Sequence, residues 1–139
     1  MTTRYRTQAI NDDGGEGVTR VPGGLEVAVS SPLAPDVDPA ASNPEQLLAL
    51  AWATCLNATA QAVVAKRHPT AVRVEVELRD SERGGYEFAV TAFVSAEGQD
   101  AASVAALAER AHARCPVSRL LAGADTVEVR TEEWAGAAG

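Results

Sequence analysis

The amino-acid sequence predicts an α+β protein in which antiparallel sheets wrap around a long, buried central helix. Three features carry that expectation. Between Leu47 and Ala65 only Thr54, Asn57, Thr59 and Gln61 are clearly polar, and a helix without a wide solvated face must be covered on most sides. The flanking segments alternate apolar and polar residues with the period of two that marks half-buried strands. The order of elements is strands, helix, strands, helix and strand, which gives an α+β fold with antiparallel pairing. At 139 residues the chain fits one domain, residues 1–139, large enough to bury its own core.

The elements follow in chain order. Residues 1–31 hold N-terminal strands: Thr3–Ile10 alternates loosely, Asn11–Gly17 (NDDGGEG) is a turn, and Val18–Val21 and Leu25–Ser30 flank the Pro22-Gly23-Gly24 turn. Ser31–Ala41 contains three prolines and two aspartates without periodicity, so it is a loop. The central helix spans 42–67. Asn43 or Ser42 serves as its N-cap, Pro44 sits where a missing N–H costs nothing, and Glu45 and Gln46 offer acceptors to the first turn. A hairpin over 71–96 places Val72, Val74, Val76 and Leu78 on one face of its first strand, and Tyr86, Phe88, Val90, Ala92 and Val94 keep the same period on its second. Helices occupy 100–122, with Val104, Leu107, Ala108 and Ala111 at helical spacing and a break at Cys115-Pro116. A final strand covers 125–133 with Val127 and Val129 inward, and the tail from Trp134 is expected to fray. One sheet covers only one side of the central helix, so its remaining apolar faces predict an obligate homodimer.

Composition removes several functional classes. A net charge of −7, from 19 acids and 12 bases without a basic block, argues against nucleic acid as a partner. Asn57, Gln61 and many alanines disfavour a membrane span for the central helix. Met1 is followed by TTRYRTQ with no apolar core of a secretory signal, and two cysteines are too few for a disulfide scaffold. A cytoplasmic protein with reduced thiols is the expectation. No zinc spacing, phosphate-binding loop, dinucleotide fingerprint or HExxH motif is present, so neither a metal nor a cofactor is predicted. His68 and His112 lie 44 positions apart without a carboxylate cluster. They read as a helix-end cap and a helix-flank residue.

The cysteines carry the remaining chemistry. Cys55 stands mid-helix in apolar surroundings, where a small apolar filler is the ordinary fate of a thiol and where its pKa is expected to rise unless a cation is brought from elsewhere. Cys115 precedes a proline at the start of a new helical turn, where free N–H groups favour thiolate.

The segment NPEQLLALAWATC, with Glu45 ten positions before Cys55, and ARCPVSRLLAG, with Cys115 60 positions after it, resemble the organic hydroperoxide resistance and osmotically inducible protein C (Ohr/OsmC) family. CPVSRLLAG is closer to the osmotically inducible branch. The resemblance implies an OsmC-like fold and an intertwined homodimer with its central helices between two sheets. It also implies a cysteine peroxidase that reduces organic hydroperoxides to alcohols. Cys55 would then be the peroxidatic thiolate, Cys115 the resolving thiol, and Glu45 a carboxylate that orients an activating arginine. A Cys55–Cys115 disulfide would be reduced by an external dithiol such as a lipoylated protein. In the family that arginine belongs to the first hairpin loop, but NDDGGEG holds none, leaving Arg20, Arg4 and Arg6 as candidates. Ten helical residues separate Glu45 from Cys55 by about 15 Å and about 80°, so a direct role would need the partner subunit or a bend. Trp52 and Leu48 are candidates for an apolar wall favouring bulky alkyl hydroperoxides, and equally for plain core packing. Two other readings stand beside this one: a non-enzymatic dimer that binds a small hydrophobic ligand in the same cleft, and a thiol enzyme of another kind.

Overall fold

A computed structural model of the chain, describing residues 1–135, contains two compact units, one formed by Met1–Leu47 and one beginning at Leu48. In the first, β1 (Ile10–Asn11), β2 (Gly17–Arg20) and β3 (Glu26–Val29) form an antiparallel meander in that order. The strand expected over Thr3–Ile10 shrinks to its last residue plus Asn11, because only Ile10 and Asn11 find partners, opposite Arg20 and Thr19. The acids of the NDDGGEG turn all work locally. Asp13 accepts from the Val18 N–H at 3.0 Å, Glu16 from the Ser31 N–H at 3.0 Å, and Asp12 pairs with Arg20 at 3.2 Å. Gly17 has φ +117°, and a Cβ there would lie 2.6 Å from the Asp13 side chain, so only glycine lets Asp13 close the turn. The loop after β3 is anchored where Ser42 lies beside Val29, with Ser42 N–H donating to the Ala28 carbonyl at 2.8 Å.

The central helix α1 runs from Pro44 to Val63. Asn43 caps it, its side-chain oxygen accepting from the Gln46 N–H at 2.8 Å. The helix ends four residues short of the expected Arg67, because Ala65 and Lys66 turn into the left-handed region at φ 53° and 56°, a geometry that costs non-glycine residues energy. His68 lies beyond this turn and does not cap the helix; its ring nitrogen faces the Pro69 carbonyl. The polar residues in the apolar run of α1 each have a partner. Thr54 and Thr59 donate to the carbonyls of Leu50 and Cys55, one turn back. Gln61 donates to Thr70 Oγ1, which donates to Asn57 at 2.8 Å.

In the second unit, β4 (Thr70–Asp80) and β5 (Tyr86–Ala96) pair antiparallel from Thr70 opposite Ala96 to Asp80 opposite Tyr86. Helix α2 (Ala101–Arg114) begins at Asp100, whose carboxylate accepts from the Ser103 N–H at 2.8 Å. After the short helix α3 (Pro116–Leu121), strand β6 (Val127–Thr131) joins the sheet beside β5. That pairing is parallel, with Val90 opposite Val127. Purely antiparallel pairing therefore gives way to a mixed sheet, because the α2–α3 crossover returns the chain to the end of the sheet where β5 began. Trp52, Leu56, Ala60 and Val64 from the α1 segment pack with Val90, Ala92, Val94 and Ala96 of β5 and Val104, Leu107, Ala108 and Ala111 of α2. Val127 and Val129 flank that core, as their alternation predicts. Of the expected frayed tail, Trp134 and Ala135 lie beyond β6 in no regular element, and the rest falls outside the described residues. Among the described residues no helix is long and apolar enough to cross a membrane.

A candidate dithiol site

Cys55 and Cys115, 60 positions apart in the chain, come together within the second unit. Both are free thiols, Cys55 half-buried and Cys115 fully buried. Helix α1 supplies Cys55 from the seam of its buried stripe, about 60° round from Trp52. Cys115 is supplied by the junction of α2 and α3. Its backbone N–H still donates to the Ala111 carbonyl and closes α2, while its sulfur caps α3 by accepting from the Ser118 N–H at 3.5 Å. Pro116 occupies the first turn of α3, where no N–H is required.

The two sulfurs interact and their environments pull in opposite directions. Burial pushes the Cys55 thiol up; the Val117 N–H works against that, and the neighbouring Cys115 sulfur adds to it. For Cys115, burial also acts upward. The Ser118 N–H and hydroxyl, the Cys55 thiol and the Val117 N–H outweigh it and bring the thiol below its ordinary range. Two thiols that interact in this way titrate as a pair, and of the two the buried sulfur gives up its proton more readily. No cation or histidine contributes to either environment among the described residues of this unit.

Of the other predicted site residues, Glu45, Arg20, Arg4 and Arg6 belong to the first unit, and Trp52 and Leu48 to the second. Glu45 lies in the first turn of α1. Arg20 ends β2 and is engaged by Asp12, while Arg4 and Arg6 precede the first strand and are exposed. Trp52 is not a pocket wall: it is completely buried, and its indole N–H donates to Ser118 Oγ at 2.9 Å. Leu48 is half-buried against the same core. His112 stands on α2 with its ring centroid 6.4 Å from that of Trp52 and a buried Nδ1 without a partner. Sequence reasoning passed over Ser118. Its spacing from Cys115 is the cap-to-third-residue spacing of a helix start, but its bond to Trp52 is tertiary and leaves no local signal. Among the described residues no cluster of three or more potential metal ligands exists.

Such a fold and site define a class: an α+β protein that presents a half-exposed thiol on a central helix against a buried thiol at a helix cap. Residues 37–130 match the OsmC-like protein family, and the chain belongs to that family. It is 36% identical over 98 residues to the organic hydroperoxide resistance protein OhrA of Bacillus subtilis, covering 67% of this chain and 69% of that one. A Lactobacillus casei protein of known structure shares 39% identity with a TM-score of 0.87, over 96% of this chain and 94% of its own. The structure of OhrB from Bacillus subtilis, at 25% identity, gives a TM-score of 0.83 over 95% and 100% of the two chains. The OsmC-like fold is thus established. Both Bacillus proteins carry the organic hydroperoxide resistance name.

Proposed function

We propose that the protein is a cysteine peroxidase that reduces organic hydroperoxides to alcohols. The observation that carries this reading is the contact between a reachable thiol and a buried one in a fold whose relatives are named for organic hydroperoxide resistance. The Cys55 sulfur, the reachable one, attacks the distal peroxide oxygen. The O–O bond breaks, the alcohol leaves with a proton, and Cys55 becomes a sulfenic acid. The Cys115 sulfur then attacks Cys55, water departs, and a disulfide forms. An external dithiol, of the kind a lipoylated protein carries, returns both thiols and is itself oxidised.

Activation of Cys55 is the demanding step, because burial holds its proton. In this reading a cation from Arg20, Arg4 or Arg6 completes the site in a cytoplasmic homodimer, with Glu45 of the partner subunit orienting it. The outer face of α1 supports the dimer: Leu50 is 63% exposed, and Ala51, Ala58 and Ala62 beside it are exposed too.

The test is stopped-flow oxidation of the reduced protein by an alkyl hydroperoxide and by hydrogen peroxide, with thiols counted by mass spectrometry. Rapid loss of two thiols, faster with the alkyl substrate and abolished by Cys55→Ser, is the expected result. Cys115→Ser should stop the reaction at a sulfenic acid that dimedone captures. Slow, unselective oxidation of the intact protein would overturn the peroxidase. It would favour the reading in which the raised Cys55 thiol is inert and the cleft binds a small hydrophobic ligand.

A further inference from the structure

A polar chain crosses the interior of the second unit behind the two thiols. Trp52 Nε1 donates to Ser118 Oγ at 2.9 Å, and the Ser118 N–H donates to Cys115 Sγ at 3.5 Å. All three residues are completely buried. An indole N–H can only donate, so it fixes the serine oxygen as its acceptor and leaves the hydroxyl hydrogen to be aimed elsewhere. The Cys115 sulfur, already bonded by the N–H of the same residue, is the group on which the Ser118 hydroxyl also acts to lower the thiol.

From this geometry we propose that Trp52 and Ser118 form a fixed cradle for the Cys115 thiolate. Ser118 holds the charge through its N–H and hydroxyl, and Trp52 is a positioning residue that keeps the hydroxyl turned toward sulfur. The consequence for turnover rests on the peroxidase reading. With both thiols free, Cys55 is partly exposed and Cys115 fully buried; if the disulfide keeps that order, Cys55 is the sulfur that a reductant reaches. The reductant thiolate bonds to Cys55, the Cys55–Cys115 bond breaks, and its electron pair remains on Cys115, where Ser118 receives it. The second thiol of the reductant then displaces Cys55. A leaving sulfur with lowered proton affinity departs faster, so the cradle serves the reductive half of the cycle.

Cys55→Ser leaves Cys115 as the single thiol of the chain, and its thiolate absorbance can be titrated without any peroxide. Adding Ser118→Ala should displace the midpoint to higher pH. Ser118→Thr, which keeps the hydroxyl, should restore it, and Trp52→Phe should displace it in the same direction by less. In the two-thiol protein, oxidised beforehand with diamide, Ser118→Ala should slow reduction by dithiothreitol about tenfold, the factor attached to one hydrogen bond to a charged group. Ser118→Thr should stay close to the parent rate. If Ser118→Ala does not fold, because it strands the indole N–H, Trp52→Phe/Ser118→Ala removes both partners together and replaces it. An unchanged midpoint in a folded variant lacking the hydroxyl overturns the cradle. Failure of hydroperoxide to oxidise the protein bears on the peroxidase alone, since neither measurement uses it.

Discussion

The two faces of α1 are almost equally apolar, yet the chain treats them in opposite ways. On the inner face Trp52, Leu56 and Ala60 are completely buried and Val64 nearly so, packed on β5 and α2. On the outer face Leu50 is 63% exposed, and Ala51, Thr54, Ala58 and Ala62 are exposed with it. Cys55 sits on the seam. Hydrophobicity alone therefore identifies what has to be covered, whereas topology decides what one chain can cover. The difference is the physical ground for the proposed second copy.

The comparison can be broken most forcefully on the inner face. Trp52→Ala removes a buried aromatic and strands Ser118, and should cost about 4 kcal/mol in chemical denaturation; a loss below 1 kcal/mol would mean that the inner face is not the core. On the outer face, Leu50→Lys should leave the unfolding of an isolated protomer within about 0.5 kcal/mol. The same change should weaken a dimer about a hundredfold or more, since each buried leucine contributes about 2 kcal/mol. Sedimentation at graded concentration reads this directly, and an unchanged mass would remove the outer face from any interface. The end of the helix offers a smaller effect. Lys66→Gly relieves a left-handed backbone at φ 56° and should add up to about 1 kcal/mol, visible as a rise in melting temperature.

The smallest effect is a pH dependence. The Ser103 N–H and then its hydroxyl hold the Asp100 carboxyl below its usual range. A carboxyl lowered on folding stabilises α2 fully above its unfolded value, and that contribution is lost as pH falls through the lowered folded value. Amide exchange at the start of α2 should therefore quicken in acid, and Asp100→Asn should flatten that dependence. The outer face of α1, which does not pack on α2, should not follow it.

Much of this was legible locally. The period of two in Val72, Val74 and Val76, the Asn43-Pro44 start of α1 and the Asp100 start of α2 are all short-range signals, and each appears in the structure. The opposed acidities of Cys55 and Cys115 were legible too, because mid-helix burial and a helix-cap position act through near neighbours. The end of α1 was not, since Ala65 and Lys66 carry no breaker signal for their left-handed turn. The parallel register of β6 depends on where the α2–α3 crossover delivers it. The sequence leaves Trp52 open between core packing and a pocket wall; burial decides for the core, and its partner Ser118 is joined to it only through the tertiary fold.

That partnership has a consequence for biosynthesis. Trp52 and Ser118 are 66 residues apart, an interval that a ribosome takes several seconds to translate. Throughout it, α1 can emerge and begin to coil while the acceptor for its indole and the companion of its thiol do not yet exist. Closing so long a loop is the late, entropically costly event of folding. A nascent chain oxidised at Cys55 during that interval has no second sulfur with which to form a disulfide.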